Sequence, residues 1–493
     1  MADIYGKNNM IRSFFWKLAE RFSTQGITIL TTILLARILL PQEYGVIAIC
    51  MIVVNFLNIL IEGGFGQALI QKKDISEIDF NTVFVFNIVL CCIAYFILFQ
   101  ISPFVETFFC INDLSKILRV LGFSLIIGSL RNVHQAYAIK NLLYKKMFKA
   151  ALLATSISAI VSLYMAYHNF GVWTLVFQQL LNGVILTVML WFVIPWKPSV
   201  SISYNNLRSL FSYGSRLLAS SMIDTTYRQI WQLVVGKAYS VFDLAYYNQG
   251  EKFPAMIINN INSSIDGVLF PALSNYQDDI EKVRDLMRRA MKTSICIIAP
   301  IQMILVFSSS NIITLVLTEK WLSCVPFFSA FCITYMFTPL HTANLNAIKA
   351  LGRSDIFLKL EICRKSIAVC ILMIAMNFGI FYMLAGLLMG EICGQIVNSY
   401  PNKKLLGYGY KQQLWDILPS IFIAFLSGAI IYFFNFISLP LYFKLILQIF
   451  VGITTYCVVS YILKIESFMY LYQNIRKYIR KKGVHDESFE ASN

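Results

Sequence analysis

Apolar runs of about 20 residues, separated by short polar turns, recur along almost the whole chain. A helix needs about that length to cross the hydrocarbon core of a bilayer. The pattern therefore predicts an all-α polytopic membrane protein with about 14 transmembrane helices. The predicted spans lie near residues 13–36, 44–65, 81–104, 117–139, 147–167, 171–194, 208–236, 244–271, 290–309, 323–345, 355–376, 379–400, 414–435 and 440–463.

Composition supports the same class of protein. Of the 493 residues, 58% are hydrophobic and only 14% are charged, and the mean hydropathy is +0.65. A water-soluble globular protein carries roughly a quarter charged residues, so these values exclude one. The cysteines form no C-x-x-C pair and mostly fall in apolar runs. We interpret them as small buried hydrophobic residues rather than as metal ligands or disulfides.

The basic residues indicate how the chain is oriented in the membrane. The formal net charge is +15, and with the N-terminus inside, 26 Lys and Arg residues lie in cytoplasmic segments against five in outer segments. Cytoplasmic loops of membrane proteins collect Lys and Arg, so both termini are predicted to face the cytoplasm. Topology then explains the charge, and nucleic acid is not an expected partner. The basic stretch 476–482 is expected to rest on anionic lipid.

The two halves of the chain share short motifs at an offset of roughly 200 residues. Residues 169–173 (NFGVW) recur as 377–381 (NFGIF), and the segment 138–148 recurs as 347–357. Such matches in the same order indicate an internal repeat. Because parallel repeats in transporters enclose the substrate site, we predict two parallel seven-helix lobes around a central cavity. The predicted domains are 1–195 with spans 1–6 and a linker to about 207, 208–400 with spans 7–12, 401–465 with spans 13–14, and a cytoplasmic tail at 466–493.

Polar residues form stripes on several predicted spans. On spans 1 and 7 they recur at three- and four-residue steps, which places them on one helical face. An ionised residue near the bilayer centre costs on the order of 3 kcal/mol, so these stripes should face a wet cavity or the protein interior. Cations outnumber carboxylates there, which favours an anionic ligand. The candidate cavity residues are Lys17, Arg21, Glu62, Arg131, Arg216, Asp224, Arg228, Glu251, Lys252 and Glu391.

Some of these residues also have a purely structural interpretation. Asp224 and Arg228 lie four residues apart and can neutralise each other. His134 and His341 are expected to be packing residues, as single intramembrane histidines usually are. Pro339 is expected to kink span 10, a feature that either serves alternating access or is plain geometry.

Motifs for enzymatic chemistry are missing from the sequence. It contains no G-x-x-x-x-G-K-[ST] phosphate-binding loop, no H-E-x-x-H, no G-x-S-x-G and no Gly-rich dinucleotide fingerprint. The predicted outer loops are short, whereas a membrane glycosyltransferase or polymerase is expected to present carboxylates on a sizeable outer loop. The sequence therefore predicts a transporter rather than an enzyme.

Several motifs resemble those of one transporter family. The segment LARILLPQEYG at 35–45 resembles the first-loop signature of bacterial polysaccharide flippases, the O-antigen and exopolysaccharide transporters of the multidrug/oligosaccharidyl-lipid/polysaccharide exporter superfamily. The resemblance covers roughly residues 10–465. Further similar motifs are GQALIQK at 66–72, FGVW at 170–173, AYYN at 245–248, LFPALS at 269–274, EKW at 319–321 and ALGR at 350–353.

The resemblance implies a flippase that moves undecaprenyl-pyrophosphate-linked oligosaccharide repeat units across the bacterial cytoplasmic (inner) membrane. The units would serve lipopolysaccharide, capsule or exopolysaccharide synthesis and cross by alternating access through a cationic cavity. The pyrophosphate would bind first to inner basic residues and then to deeper ones. The inner candidates are Lys17, Arg21 and Arg216, and the deeper ones are Arg228 and Lys252.

The energy source and partners follow from the same resemblance. No cofactor is expected, and a proton or sodium gradient is the candidate energy source. Trp231 stands where the family often has Asp, so ion coupling at that position is not expected. The remaining candidates for cavity or ion-coupling roles are Glu62, Arg131, Asp224, Glu251 and Glu391.

The expected partners are the lipid-linked oligosaccharide and membrane lipids, with the polysaccharide polymerase and chain-length machinery as candidate protein partners. Three other functions stay open at this point. One is an ion-coupled multidrug exporter of the same superfamily. The second is a membrane-embedded polysaccharide polymerase or glycosyltransferase, and the third is a non-transporting scaffold.

Overall fold

The computed structural model describes residues 7–62, 64–72, 75–199, 201, 203–474 and 476–477. These ranges are mostly helical and contain no β-strand. Short 3-10 helices at Glu319–Cys324 and Phe433–Phe436 add to seventeen α-helices. The α-helices are α1 (Lys7–Ile38), α2 (Pro41–Glu62), α3 (Phe65–Gln71), α4 (Glu77–Phe109), α5 (Leu114–Lys140), α6 (Tyr144–Tyr167), α7 (Val172–Val193), α8 (Tyr204–Ala238), α9 (Val241–Ser274), α10 (Ile280–Phe307), α11 (Ser309–Leu317), α12 (Val325–Met336), α13 (Thr338–Ala350), α14 (Ser354–Ala375), α15 (Ile380–Leu405), α16 (Tyr410–Tyr432) and α17 (Leu441–Ile462).

Each predicted span coincides with helical structure of the expected length. Span 10 is formed by two helices, α12 and α13, which are separated at Phe337. Within the described part of the chain, nine helical stretches are long and apolar enough to cross a membrane. The other long helices, α1, α5, α8, α9 and α14, are more polar. The prediction of an all-α multi-pass membrane protein is confirmed, and the polar helices are where a site should be sought.

Contacts between helices divide the chain into two compact units, Met1–Ala245 and Tyr246–Asn493. In the first unit α4 packs along α5, and α6 packs along both α1 and α7. The polar helix α8 belongs to this unit because it packs against α2, α3 and α4. Aromatic side chains contribute to the core, with Phe80, Phe84 and Trp196 all buried.

In the second unit α10 is the central helix, and it packs against α12, α13, α16 and α17. Met287, Met291 and Ile295 of α10 are fully buried there. Helices α14 and α15 form a further closely packed pair. Each unit contains seven of the predicted spans. The boundary by packing falls after α8, whereas the predicted boundary at 195–207 follows the repeat, so the predicted domains stay a prediction.

The turns that follow α5 and α13 have a similar backbone, although their positive-φ residues lie 210 residues apart whereas the sequence motifs lie 209 apart. Leu142, between α5 and α6, has φ +54°, and Gly352, between α13 and α14, has φ +73°. Leu143 N donates to Ala138 O in the first turn, as Arg353 N donates to Ile348 O in the second. Both repeats therefore reverse direction with the same hydrogen-bonded turn.

The segment that leads from α7 to α8 is tied to the start of α4. Asn81 is buried, and its amide nitrogen donates to the hydroxyls of Ser199 (2.7 Å) and Ser201 (2.9 Å). Ser199 N donates back to Asn81 Oδ1 (3.0 Å), and Ser203 N donates to Thr82 Oγ1 (3.1 Å). These bonds fix the linker on the first unit up to the beginning of α8.

Close helix packing in the second unit depends on small residues. A Cβ atom at Gly428 of α16 would lie 2.2 Å from Cδ2 of Phe307 on α10, too close for any real contact. Overpacking of this kind costs about 1–3 kcal/mol. We therefore expect Gly428→Ala to lower the melting temperature of the protein in detergent.

Gly26→Ala is the matched control, because a Cβ at Gly26 of α1 meets no atom within 4 Å. That substitution should leave the melting temperature unchanged or raise it slightly, since glycine inside a helix is destabilising relative to alanine. Equal melting temperatures for the two variants would contradict the packing of α10 on α16.

Candidate functional site

The cations of α1 lie on one exposed face of the helix. Lys17 has 51% of its side chain exposed, and its Nζ lies 3.3 Å from Glu20 Oε2. Arg21, one turn further on, is also exposed. Phe14, Phe15 and Phe22 of the same helix are 62%, 64% and 67% exposed. Phe14 lies three residues before Lys17, so exposed apolar side chains adjoin the cations on α1.

The cations of α8 are arranged in a similar way. Arg228 Nη2 lies 3.1 Å from Asp224 Oδ2, with 69% and 50% of the two side chains exposed. Asp224 therefore does neutralise Arg228, as the four-residue spacing indicates. The contact with Asp224 uses few of the five N–H donors of the guanidinium group, so Arg228 keeps donors for an anion. The side chains of Arg216 on α8 and Glu62 on α2 lie outside the described residues.

These exposed charges must be in contact with water. Arg228 is ten residues from the end of α8 at Ala238, which corresponds to about 15 Å along the helix. That is about half the thickness of a hydrocarbon core. A charge at such a depth facing lipid would cost on the order of 3 kcal/mol. In a membrane, the exposed charges of α1 and α8 would therefore have to face water or another polar surface rather than lipid.

Two further predicted cations lie on other helices. Lys252 is exposed on α9 in the second unit, next to Glu251 in sequence. Arg131 is half-buried on α5 in the first unit. Trp231, at the position where the family often has Asp, is buried with 6% exposure. It contributes packing and no charge.

His134 and His341, the two histidines predicted within spans, have different environments. The His134 ring stacks on Trp191 with 4.8 Å between centroids, and it meets Trp196 edge to face at 4.9 Å. His134 thus lies in an aromatic core, as expected for a packing residue. His341 instead has Nε2 2.6 Å from Glu391 Oε1, so it belongs to a polar network.

The two carboxylates predicted in the second unit lie in two separate hydrogen-bonded groups. Glu391 of α15 contacts His341 of α13, and Asn398 of α15 lies 2.7 Å from the other ring nitrogen of His341. Glu251 of α9 accepts a hydrogen bond of 2.6 Å from the Tyr335 hydroxyl of α12. Helices α13 and α15 supply the first group, and α9 and α12 supply the second.

Tyr335, Gln395 and Asn398 contribute polar contacts around the break between α12 and α13, but they are not among the site residues predicted from the sequence. None of these is charged, so no charge pattern could single them out. The available signal was Pro339, because a proline within a span frees a backbone carbonyl that neighbouring side chains must satisfy. The carbonyl that Pro339 leaves without its helical donor is that of Tyr335, and the Gln395 amide instead donates to Phe337 O at the break itself, at 3.0 Å.

The described residues offer no metal centre, because no group of three His, Cys, Asp or Glu side chains is arranged to hold an ion. What the exposed cations can do is bind an anion. Guanidinium groups donate in a planar fork that matches phosphate, while ammonium groups act as point charges. Arg21, Arg228, Lys17 and Lys252 provide both kinds of donor.

Residues 34–326, more than half of the chain, match the model of a family described as polysaccharide biosynthesis protein. The chain belongs to this family. With its long apolar helices, the chain is a multi-pass membrane protein of this family.

Individual relatives are more distant. The chain is 22% identical over 436 residues to the lipopolysaccharide biosynthesis protein WzxC of Escherichia coli (strain K12), covering 84% of this chain and 87% of WzxC. It is 23% identical over 303 residues to the teichuronic acid biosynthesis protein TuaB of Bacillus subtilis (strain 168), covering 61% of this chain and 63% of TuaB.

Among solved structures, the lipid II flippase MurJ in an inward closed conformation superposes with a TM-score of 0.72. The superposition covers 91% of this chain and 98% of MurJ at 14% sequence identity. The chain therefore shares the fold of MurJ.

The exposure of the Arg228–Asp224 pair makes a clear prediction about stability. Exposed ion pairs four residues apart on a helix contribute about 0.3–0.5 kcal/mol. We expect Arg228→Ala and Asp224→Ala each to change the free energy of unfolding in detergent by no more than this. A change of several kcal/mol, measured by denaturant titration, would show instead that the pair is buried.

Proposed function

We propose that the protein is a flippase that moves undecaprenyl-pyrophosphate-linked oligosaccharide repeat units from the cytoplasmic to the outer leaflet by alternating access. The observation that carries the proposal is the set of exposed cations on the membrane-spanning helices α1 and α8. A pyrophosphate is the part of such a lipid that these cations suit. The names of WzxC, TuaB and MurJ agree with a carbohydrate-containing substrate.

The proposed path for the pyrophosphate follows the order of the cations along the helices. With the N-terminus in the cytoplasm, Lys17 and Arg21 lie in the first part of α1 and would meet the headgroup from the cytoplasmic leaflet. Arg216 would act at a similar level on α8. Arg228, three turns further along α8, would hold the pyrophosphate deeper, and Lys252 on α9 would assist.

The other candidate residues have supporting roles in this proposal. Asp224 would keep the Arg228 side chain oriented while no substrate is bound, since the two already lie 3.1 Å apart. Arg131 and Glu62 would belong to the polar lining. Glu251 and Glu391 would respond to an ion gradient as carboxylates on membrane-spanning helices, where they contact Tyr335 and His341.

The flipped units would serve lipopolysaccharide, capsule or exopolysaccharide synthesis. Their consumer on the outer face would be a polysaccharide polymerase with its chain-length machinery, which makes these proteins the proposed partners. The oligosaccharide would stay in the wet cavity during transfer, and the prenyl chain would stay in lipid, where its burial requires no protein pocket.

The proposal predicts that Arg228→Ala slows flipping without unfolding the protein. Losing a charged hydrogen bond to phosphate costs about 1.5–3 kcal/mol, which corresponds to roughly a 10- to 100-fold slower rate. Purified protein is reconstituted in liposomes with a fluorescent undecaprenyl-pyrophosphate oligosaccharide. The rate is scored by quenching of the label that reaches the outer leaflet.

Arg284→Ala serves as the matched control, because Arg284 is also exposed and lies 3.6 Å from a carboxylate, Asp285, at the start of α10. That variant should flip at the wild-type rate, and Arg228→Lys should be intermediate, since lysine keeps the charge but loses the fork. Wild-type and Arg228→Ala proteins with equal rates would refute the role of Arg228. A wild-type protein that flips no prenyl-linked oligosaccharide but lowers drug accumulation would indicate a multidrug exporter.

A further inference from the structure

An apolar pocket lies in the second unit between α10, α17 and the short helical segment 466–474. Its volume is about 560 Å³, within the range of pockets that hold small molecules. None of the described side chains that line the pocket is charged. The pocket can be entered from outside the protein, because the lining residues Ile297 of α10 and Ile453 of α17 are 42% and 51% exposed.

Helices α10 and α17 touch along one side of this pocket. A Cβ at Gly452 of α17 would lie 2.8 Å from Cγ1 of Ile304, so glycine allows the close approach there. One turn further along α17, the Tyr456 hydroxyl donates to Cys296 O at 3.0 Å. This bond satisfies the hydroxyl, so Tyr456 needs no polar partner from a ligand. An apolar chain is therefore the kind of ligand that the pocket suits.

The segment 466–474 borders the pocket where α17 leads into the predicted cytoplasmic tail. Phe468 and Leu471 line the pocket and pack against the core of the second unit. Glu466 pairs with Lys292 of α10, and the Tyr470 ring centroid lies 5.1 Å from Cζ of Arg289 on the same helix. Contacts with α10 therefore hold the segment beside the pocket.

The extent of the pocket along α10 matches one leaflet of a bilayer. Its lining residues on this helix run from Cys296 to Leu305. These nine steps correspond to about 14 Å, close to half of a hydrocarbon core of roughly 30 Å. Because Cys296 is at the end nearer the cytoplasm, the pocket lies at the depth of the cytoplasmic leaflet. One acyl chain of a phospholipid fills the same depth.

Cations lie beyond the cytoplasmic end of the pocket. Arg289 precedes Cys296 by seven residues and Ile297 by eight, a spacing that places all three on one face of α10. The guanidinium group lies over the Tyr470 ring, which leaves its N–H edges directed sideways for a phosphate. Lys464 is exposed directly after α17. Residues 464–482 as a whole contain six basic residues and one acidic residue.

We propose that this pocket binds one anionic phospholipid of the cytoplasmic leaflet. One acyl chain lies between α10 and α17, and the phosphate contacts Arg289 and Lys464. The apolar walls and the neighbouring positive charge together select this class of ligand. An extended undecaprenyl chain is several times longer than a leaflet is deep, so it matches the pocket less well. The bound lipid joins α10, α17 and the segment 466–474, and its binding does not depend on what the protein transports.

Photocross-linking tests where the lipid binds. The full-length protein is reconstituted in nanodiscs of phosphatidylcholine that contain a small fraction of phosphatidylglycerol with a diazirine in one acyl chain. After irradiation, mass spectrometry of the digested protein should find label at Ile301 or Leu305 of α10, which line the pocket. Phosphatidylcholine with the same diazirine should label these positions at least fivefold less, because each nearby cation favours an anionic lipid by about fivefold.

Two substitutions test the headgroup and the chain separately. Arg289→Ala should lower labelling of α10 by the phosphatidylglycerol probe about fivefold and leave labelling by the phosphatidylcholine probe unchanged. Ile453→Trp places a large ring at the exposed wall of the pocket and should lower labelling by both probes.

Each substitution has a matched control on the same helix. Arg284→Ala removes an arginine five residues before Arg289, on another face of α10, and Val458→Trp adds a ring at a 49% exposed position on another face of α17. Neither control should change labelling of the pocket. Equal labelling by the two probes, or equal loss in Arg289→Ala and Arg284→Ala, would overturn the proposal.

A competitor distinguishes the phospholipid from a prenyl lipid, which also carries phosphate. Unlabelled phosphatidylglycerol should displace the probe from α10 at lower concentration than undecaprenyl phosphate does. The opposite order would show that the pocket holds a prenyl chain, and the proposal would be wrong. The flipping assay decides the proposed function separately, because label in the pocket is measured without any transport.

Discussion

The cost of placing a charge in hydrocarbon governs this protein more than any other interaction. Each ionised side chain on a membrane-spanning helix must find a partner or face water. The structure contains both solutions. In the second unit Glu251, Glu361 and Glu391 each contact a named partner. On α1 and α8, by contrast, Lys17 and Arg228 remain largely exposed even though each has a neighbouring carboxylate.

This division assigns different tasks to the two groups. A paired charge contributes to the folded structure through its fixed contacts. An exposed charge in a wet cavity retains hydrogen-bonding capacity for a ligand. The packing around these sites is tight where helices must approach, as at Gly428 against Phe307. The polar faces of α1 and α8 are less closely covered, which suits a site that a large headgroup enters and leaves.

Much of the fold follows from the sequence because membrane helices are specified by one dominant signal. Apolar length accounts for nine helical stretches of the described chain, and the other predicted spans coincide with long but more polar helices. The repeated motifs at 169–173 and 377–381 each contain a glycine with positive φ, Gly171 (+55°) and Gly379 (+112°). The cations of the site are also predictable, because charge within an apolar run is conspicuous. The uncharged residues that form hydrogen bonds with the buried charged groups are harder to predict. Tyr335, Gln395 and Asn398 are common in ordinary helices, and only the fold brings them to the break between α12 and α13. His341 has the same limitation, since its residue type alone does not distinguish it from His134.

The exposure of Arg228 to water at mid-membrane depth can be measured directly by thiol labelling. The exposed cysteines, Cys92, Cys110, Cys363 and Cys370, are first replaced by alanine. A cysteine introduced by Arg228→Cys is then treated with a charged, membrane-impermeant thiol reagent. Phe450→Cys is the matched control, because Phe450 is 67% exposed near the middle of the apolar helix α17 and should face lipid. If Arg228 faces water, the cysteine at 228 reacts at least tenfold faster than the cysteine at 450 and is protected by undecaprenyl pyrophosphate. Equal, slow reaction at both positions would contradict it.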